Sequence, residues 1–359
     1  MQGNKGTIMM RESEDSRQRV TQQDIADYVG VSRATVSAVV NRTRYVSPEL
    51  REKILAAIEE LGYVPDIVAR SMKTNRTMTI GLVLPNILSP IWATIARGVE
   101  DVARKAGFST IFYDTDEQIE RMKDGLRKLH EQRVDGVILA PCGNCADVVS
   151  QHMSRIGTPL VLVDRYLEDF ELDTVFSDSE TGTYEAIGHL LETGRRRVAI
   201  ITLSLGISTG RDRLRGYERA LKDHDMPIDA KLIVVGGRGE EEGYHGTRQL
   251  LMLPEEQQPD ALFVSSHLMS IGALKAIREK DLQIPEDIAV IGFDDLPWMP
   301  LMASPLTVVS QPAYEMGAQA AEILMARLTE QEEKATQRIV LATRLVHRQS
   351  CCQLGLEPG

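Results

Sequence analysis

Residues 31–41 read VSRATVSAVVN. Placed on a helix, Val36, Val39 and Val40 fall on an inward face, leaving Arg33, Ala34, Ser37, Ala38 and Asn41 outward. That outward set suits duplex DNA. Small side chains let a helix sink into the major groove, and an Arg can donate two hydrogen bonds to guanine O6 and N7. Hydroxyl and amide side chains hold phosphates and fix register. A plain surface hairpin would more usually carry Glu/Lys pairs on its solvated face, and this stretch has none.

A second set of polar residues lies further along, each just past an apolar run. Asp164 and Arg165 follow PLVLV, Asp294 and Asp295 follow AVIGF, Ser266 and His267 follow ALFVS, and Gln311 sits in VVSQP. Ligands of open α/β sheets bind beyond the carboxyl ends of the strands, so these positions are candidates for small-molecule contacts. Asp295 is expected to make a capping or sheet-end contact instead. No HExxH metal motif and no GxxxxGK[ST] phosphate loop occurs, and the Gly-rich GGRGEEEG lacks the Lys-Ser/Thr pair. The seven histidines are scattered, and only His267 follows a sheet strand. An enzyme is therefore not expected, nor any cofactor.

These residues need elements to carry them. Thr21 can cap a first helix with Asp24 three residues on, and Ile25, Ala26 and Val29 give it an apolar face. Gly30 supplies a turn, and Ser32 caps the second helix. Two short helices joined this way form a helix-turn-helix. Ser47 is expected to cap a third helix, with Pro48 at its first position and Gly62 ending it. The segment VPDIVARSMKTNRT then reads as a linker bearing Arg70, Lys73 and Arg76. From residue 79, ten apolar runs recur, from TIGLVLP to LTVVSQ, with helical stretches between most of them. That alternation predicts parallel sheets covered on both faces. Ten strands fit two sheets better than one.

The whole chain sets bounds. Its 359 residues suit two or three domains. No apolar stretch approaches the roughly 20 residues needed to cross a bilayer. Residues 1–19 lack an apolar signal core and read as a disordered polar tail, so a cytoplasmic protein is expected. Residues 1–76 hold 12 Lys/Arg and 10 Asp/Glu, against 29 and 42 in the rest of a chain of net charge −11. An acidic body with a mildly basic head predicts that the head alone meets a polyanion. Cys142 and Cys145, in CGNC, have no second pair at zinc-binding spacing and read as reduced thiols.

The run Val20–Asn75 resembles the DNA-binding head and hinge of the LacI/GalR family of bacterial repressors. DIADYVGVSRATVSAVVN, VSPELREKILAAIEELGYVPD and VARSMKTNRT match its pattern in order and spacing, and the resemblance extends to about Arg348. It implies a helix-turn-helix head at 20–64, a hinge at 65–77, and a core at 78–348 followed by a flexible tail at 349–359. The implied core is periplasmic-binding-protein-like: two α/β subdomains with crossings near 177 and 310. Arg33, Ala34 and Ala38 would read bases; Thr21, Ser32, Thr35, Ser37, Asn41 and Tyr45 would hold phosphates. Arg70 and Lys73 would join the contacts of a hinge helix formed on DNA, with Met72 wedged into the minor groove where Leu is usual. Trp92 would pack a ring against an effector, Asp164 and Asp294 would bind its hydroxyls, and Arg213 would clamp it.

Ser266-His267 departs from the family's usual Asn-Asp, which weakens the case for hydroxyl recognition there. Arg165, Arg213 and Arg238 facing one cleft with fewer carboxylates would favour a sugar acid or sugar phosphate over a neutral sugar. The implied partners are a pseudo-palindromic operator duplex, a small effector and a second copy of the chain. A transport-type sugar-binding protein would share the core but lack the head.

Overall fold

The structure is a computed structural model, and it describes residues 20–41, 44–63, 76–237, 239–329 and 335–351. The chain divides into two compact units, Met1–Asn75 and Arg76–Gly359. In the first unit, α1 (Gln22–Val29), α2 (Arg33–Asn41) and α3 (Pro48–Glu60) close around Ile25, Ala26, Val36, Val39, Ile54 and Ala57. Asp24 N–H donates to Thr21 Oγ1 at 3.3 Å and Thr21 N–H donates to Asp24 Oδ2 at 2.7 Å, a reciprocal cap. That backbone donor holds the Asp24 carboxyl below the usual carboxylate range. Gly30 takes φ +76°, a left-handed turn that glycine adopts without a Cβ clash. Ser32 caps α2 by accepting from Thr35 N–H at 3.2 Å.

Two details differ from expectation in the head. Ser47 makes no capping hydrogen bond; Pro48 at the first helical position sets the start of α3. Ala38, expected outward, is 2 % exposed, because its single methyl is covered by the head's own apolar cluster.

The second unit is two lobes. The first holds a parallel sheet in the order β11-β5-β4-β3-β1-β2, built from β1 (Thr79–Leu84), β2 (Ser109–Asp114), β3 (Gly136–Leu139), β4 (Leu160–Val163), β5 (Asp173–Ser177) and β11 (Arg338–Leu341). The second sheet runs β12-β10-β9-β8-β6-β7, from β6 (Val198–Thr202), β7 (Ile233–Val235), β8 (Ala261–Val264), β9 (Ala289–Phe293), β10 (Thr307–Ser310) and β12 (Arg344–Val346). It is parallel except at its edge, where β12 pairs antiparallel with β10. Nearly every residue of β3, β4, β6, β8 and β9 is buried, as helices on both faces require.

In the first lobe the helices are α4 (Pro90–Lys105), α5 (Ile119–Glu131) and α6 (Ala146–Arg155); α7 (Ser179–Glu192), α8 (Ser208–Asp223), α9 (Glu240–Leu251) and α10 (His267–Glu279) serve the second. α11 (Ala313–Thr329) returns to the first, packing Ala320 and Leu324 into the same cluster as Ile95 and Val99 of α4. Its approach to α4 is close enough that a Cβ on Gly98 would lie 2.2 Å from the Tyr314 carbonyl oxygen, so glycine is required there.

The chain crosses between lobes after Ser177, after Ser310 and a third time between Leu341 and Arg344. Both ends of the expected core also shift. Thr77, assigned to the hinge, donates its N–H to Asp135 at 2.9 Å and its hydroxyl to the Arg133 carbonyl. At the other end, Val290 N–H donates to the Ser350 carbonyl at 2.8 Å and Cys351 is 1 % exposed, so packing continues past 348 into the expected tail.

Candidate functional site

Two families of strand ends face each other across the lobes. They enclose a cavity of about 280 Å³. From the first lobe it is lined by Ser89, Trp92, Asp116, Glu117, Asp164 and Arg165, and from the second by Thr209, Arg213, Glu242, Ser266, His267 and Asp294. Gln311 joins them at the second crossing. Every effector candidate named from the described sequence is thus on one cavity wall. Arg238, Arg70, Met72 and Lys73 lie outside the described residues.

A hydrogen-bonded chain runs through this wall. Ser177 Oγ donates to Gln311 Oε1 at 2.8 Å, and Gln311 Nε2 donates to Asp294 Oδ1 at 2.7 Å. Asp294 Oδ2 lies 3.0 Å from His267 Nδ1, and His267 Nε2 lies 3.4 Å from Ser89 Oγ. The chain starts and ends in the first lobe while passing through the second. Strand ends explain this: each side chain leaves a sheet just where backbone pairing stops. Asp164 and Asp294 take φ +67° and +73°, a conformation Asp tolerates better than most residues and one that turns the chain sharply at the strand end.

Arg213 is 3 % exposed, stacks with its guanidinium carbon 3.6 Å from the Phe293 ring centroid, and donates Nη1–H to the Ser265 carbonyl. It forms no ion pair with the neighbouring Asp212, which accepts from Tyr166 Oη at 2.8 Å and pairs with Arg215. Trp92 lines the cavity and also packs on the first lobe's core. Asp295 accepts from Arg348 Nη2 at 2.8 and 2.9 Å, away from the cavity, matching the sheet-end contact expected of it.

The charges around the cavity bear on the expectation of an anionic ligand. Among the described residues, five carboxylates line the cavity (Asp116, Glu117, Asp164, Glu242 and Asp294) against two guanidiniums, Arg165 and Arg213. Arg165 is also already engaged: Nη1 and Nη2 donate to the two Glu117 oxygens at 2.8 and 2.5 Å, and Nη1 donates to the Pro141 carbonyl at 3.0 Å. Burial pushes the Asp164 carboxyl above the ordinary carboxylate range, against the pull of Arg165 and Arg213. Burial also lowers both guanidiniums from their usual value. Thr209 Oγ1, Arg165 Nε and Arg213 Nε have no hydrogen-bond partner, leaving unspent polar capacity on the wall.

Sequence reasoning missed Asp116, Glu117, Thr209 and Glu242. The last three sit within two residues of a helix start or turn rather than at the end of an apolar run. It also passed over GISTG at 206–210, which has the spacing of a nucleophile elbow. Ser208 there is the first residue of α8, and its hydroxyl accepts from Tyr166 N–H at 3.1 Å, a link between lobes. Burial pushes the Cys145 thiol up to about 12 and raises Cys142 as well, so neither is a ready nucleophile. No group of three His, Cys, Asp or Glu suited to a metal occurs among the described residues. No described helix is long and apolar enough to cross a membrane.

On the head, Arg33, Ala34 and Tyr45 are exposed, Tyr45 at 85 %. Ser37 and Asn41 are half-buried and linked, Asn41 Nδ2 donating to Ser37 O at 2.9 Å.

Comparison with known proteins bears on both units. Residues 13–66 match the family described as bacterial regulatory proteins, lacI family, and residues 187–351 match the periplasmic binding protein-like domain. The HTH-type transcriptional repressor PurR of Haemophilus influenzae (strain PittEE) is 34 % identical over 332 residues, 92 % of this chain and 98 % of its own length. The ribose operon repressor of Escherichia coli (strain K12) is 36 % identical over 331 residues, 92 % and 99 % of the two chains. A crystal structure of the Lac repressor dimer bound to operator and the anti-inducer ONPF superposes with TM-score 0.83 at 27 % identity, over 93 % of this chain and all of that one.

Proposed function

The chain belongs to the lacI family of bacterial regulatory proteins and is a DNA-binding transcriptional regulator rather than an enzyme; from that premise we propose that its effector is a neutral, polyhydroxylated molecule of the sugar class. The observation that carries this is the excess of carboxylates over guanidiniums among the described residues that line the cavity, with Trp92 beside them. Carboxylates accept hydrogen bonds from hydroxyls, and a flat ring packs on the C–H face of a pyranose or furanose. The ribose operon repressor among its relatives fits the same class.

Arg213 serves as the fixed donor, with Asp164 and Asp294 as acceptors and Gln311 orienting Asp294. Because the lining comes from both lobes, a bound ligand ties them together and shifts their relative population of open and closed arrangements. Two copies of the chain bind a pseudo-palindromic operator, as the Lac repressor dimer's structure suggests. In each head Arg33 and Ala34 read bases, while Thr21, Ser32, Thr35, Ser37, Asn41 and Tyr45 hold phosphates; the buried Ala38 is left out of this set. Operator and effector affinities are then reciprocally coupled.

The test is a thermal-shift panel of neutral sugars, sugar acids, sugar phosphates and nucleobases, followed by calorimetry on each hit. A neutral sugar is expected to raise the melting temperature and bind with one site per chain. Stabilisation by nucleobases alone, or by anionic sugars alone, overturns the proposal.

A further inference from the structure

We infer that Glu117 is a specificity-determining residue: its carboxylate occupies Arg165 from within the chain, and so excludes anionic ligands from the cavity. This rests on the reading of the cavity as a neutral-sugar site and names the device that enforces it.

Arg165 is one of the residues that line the cavity. Its side chain is 6 % exposed, its guanidinium carbon is 5.4 Å from the Trp92 ring centroid, and Nε is 3.6 Å from Asp164 Oδ2. A buried guanidinium beside an aromatic platform is the arrangement that would hold a ligand carboxylate or phosphate. Here the fork is filled. Both Glu117 oxygens accept from it at 2.8 and 2.5 Å, and the Glu117 side chain is itself only 7 % exposed.

The backbone shows what delivers that carboxylate. Glu117 lies in the loop between β2 and α5, where Asp116 and Glu117 take φ +46° and +55° in succession. Two adjacent side-chain-bearing residues in the left-handed region cost energy and persist only when their surroundings hold them there. The supports are visible: Asp116 N–H donates to Asp114 Oδ1 at 2.8 Å, Glu117 N–H to Thr115 Oγ1 at 3.2 Å, and Thr115 N–H to the Leu84 carbonyl at 2.9 Å. Asp114 Oδ2 also accepts from Ile87 N–H at 2.8 Å, tying the loop to the one before Trp92. A surface ion pair would need no such scaffold. With Nη1 and Nη2 turned to Glu117, Arg165 offers a ligand carboxylate no two-pronged fork, only the Nε edge beside Asp164, and that ligand meets the field of the carboxylates lining the cavity.

Glu117→Gln tests this on the full-length chain. It keeps the shape, removes the charge and frees Arg165. The probes are D-glucose, D-galactose and D-ribose, each compared with its carboxylate form (glucuronate, galacturonate, ribonate) and its phosphate form (the 6-phosphates, ribose 5-phosphate). Calorimetry should show the ratio of anionic to neutral affinity rising at least tenfold in the variant, the size of a hydrogen bond regained by a charged group. The double variant Glu117→Gln/Arg165→Gln should bring the ratio back towards that of the wild type. Should Glu117→Gln fail to fold, Glu117→Asp keeps the charge but is too short to span the fork, and should shift the ratio in the same direction by less. An unchanged ratio in a variant that still binds the neutral sugar overturns the inference alone. A wild-type chain that binds no neutral sugar overturns the reading beneath it, and the inference falls with it.

Discussion

Replacing Arg213 with Ala removes a cation that is 3 % exposed and lies among Asp164, Asp212 and Asp294. Taking one partner from a buried charged group leaves the others uncompensated, at about 3–5 kcal/mol. The parts agree in size. The guanidinium stacked 3.6 Å over Phe293 contributes about 2 kcal/mol when desolvated. The Ser265 carbonyl, which loses its donor, costs about 1–3 kcal/mol. At roughly 2–4 °C per kcal/mol for a unit of this size, the melting temperature should fall by about 6–20 °C. Sugar affinity should fall by about 100-fold, since two charge-assisted hydrogen bonds go with the guanidinium. Arg213→Lys keeps the charge but not the planar fork, and should recover stability more than affinity. Differential scanning fluorimetry and calorimetry read both quantities. An Arg213→Ala chain that melts within about 2 °C of the wild type and binds the sugar equally well would refute this placement of Arg213.

Three further outcomes follow from the same geometry. Burial holds the Asp164 carboxyl above its unfolded value, so between the two values the folded chain keeps a proton that the unfolded chain has lost. Stability therefore falls as pH rises from about 4 through the folded value, and Asp164→Asn should flatten that part of the melting-temperature profile; an unchanged profile would contradict the assignment. Trp92→Ala should weaken sugar binding by about tenfold, the size of one lost aromatic platform, with operator binding in the absence of sugar retained; an unaltered calorimetric Kd would remove Trp92 from the site. Arg33→Ala should relax base preference by about 1–3 kcal/mol at one position of each half-site while lowering binding to random DNA far less; equal losses on both in a gel-shift titration would count against a base contact.

Much of this architecture was legible in the residues, for identifiable reasons. Strands such as Leu160–Val163 and Ala261–Val264 are buried on both faces, so they stand out as unbroken apolar runs. β11 and β12 did not stand out: Arg338–Leu341 and Arg344–Val346 are short, half-exposed edges that begin with Arg, and with them the third crossing was missed. Periodicity placed Ala38 opposite Val36, yet a methyl is small enough for a neighbouring cluster to cover from any side. Strand ends pointed to Asp164, Arg165, Asp294 and Gln311, which all line the cavity, because it opens where the sheets stop. Glu117 could not be found that way. Its place in the cavity depends on two consecutive left-handed residues, and nothing in the string TDEQ announces them. The pairing of Arg165 with Glu117 was out of reach for the same reason, since counting guanidiniums along a sequence does not show which are already paired.

The most direct test is selection of bound duplexes from a randomised pool by the full-length chain, with and without the neutral sugar that best stabilises it. An enriched pseudo-palindrome whose retention changes when the sugar is added is the predicted result. A pool that stays random under both conditions at moderate ionic strength, from a chain shown to be folded, would contradict the assignment of this protein as a metabolite-controlled reader of DNA.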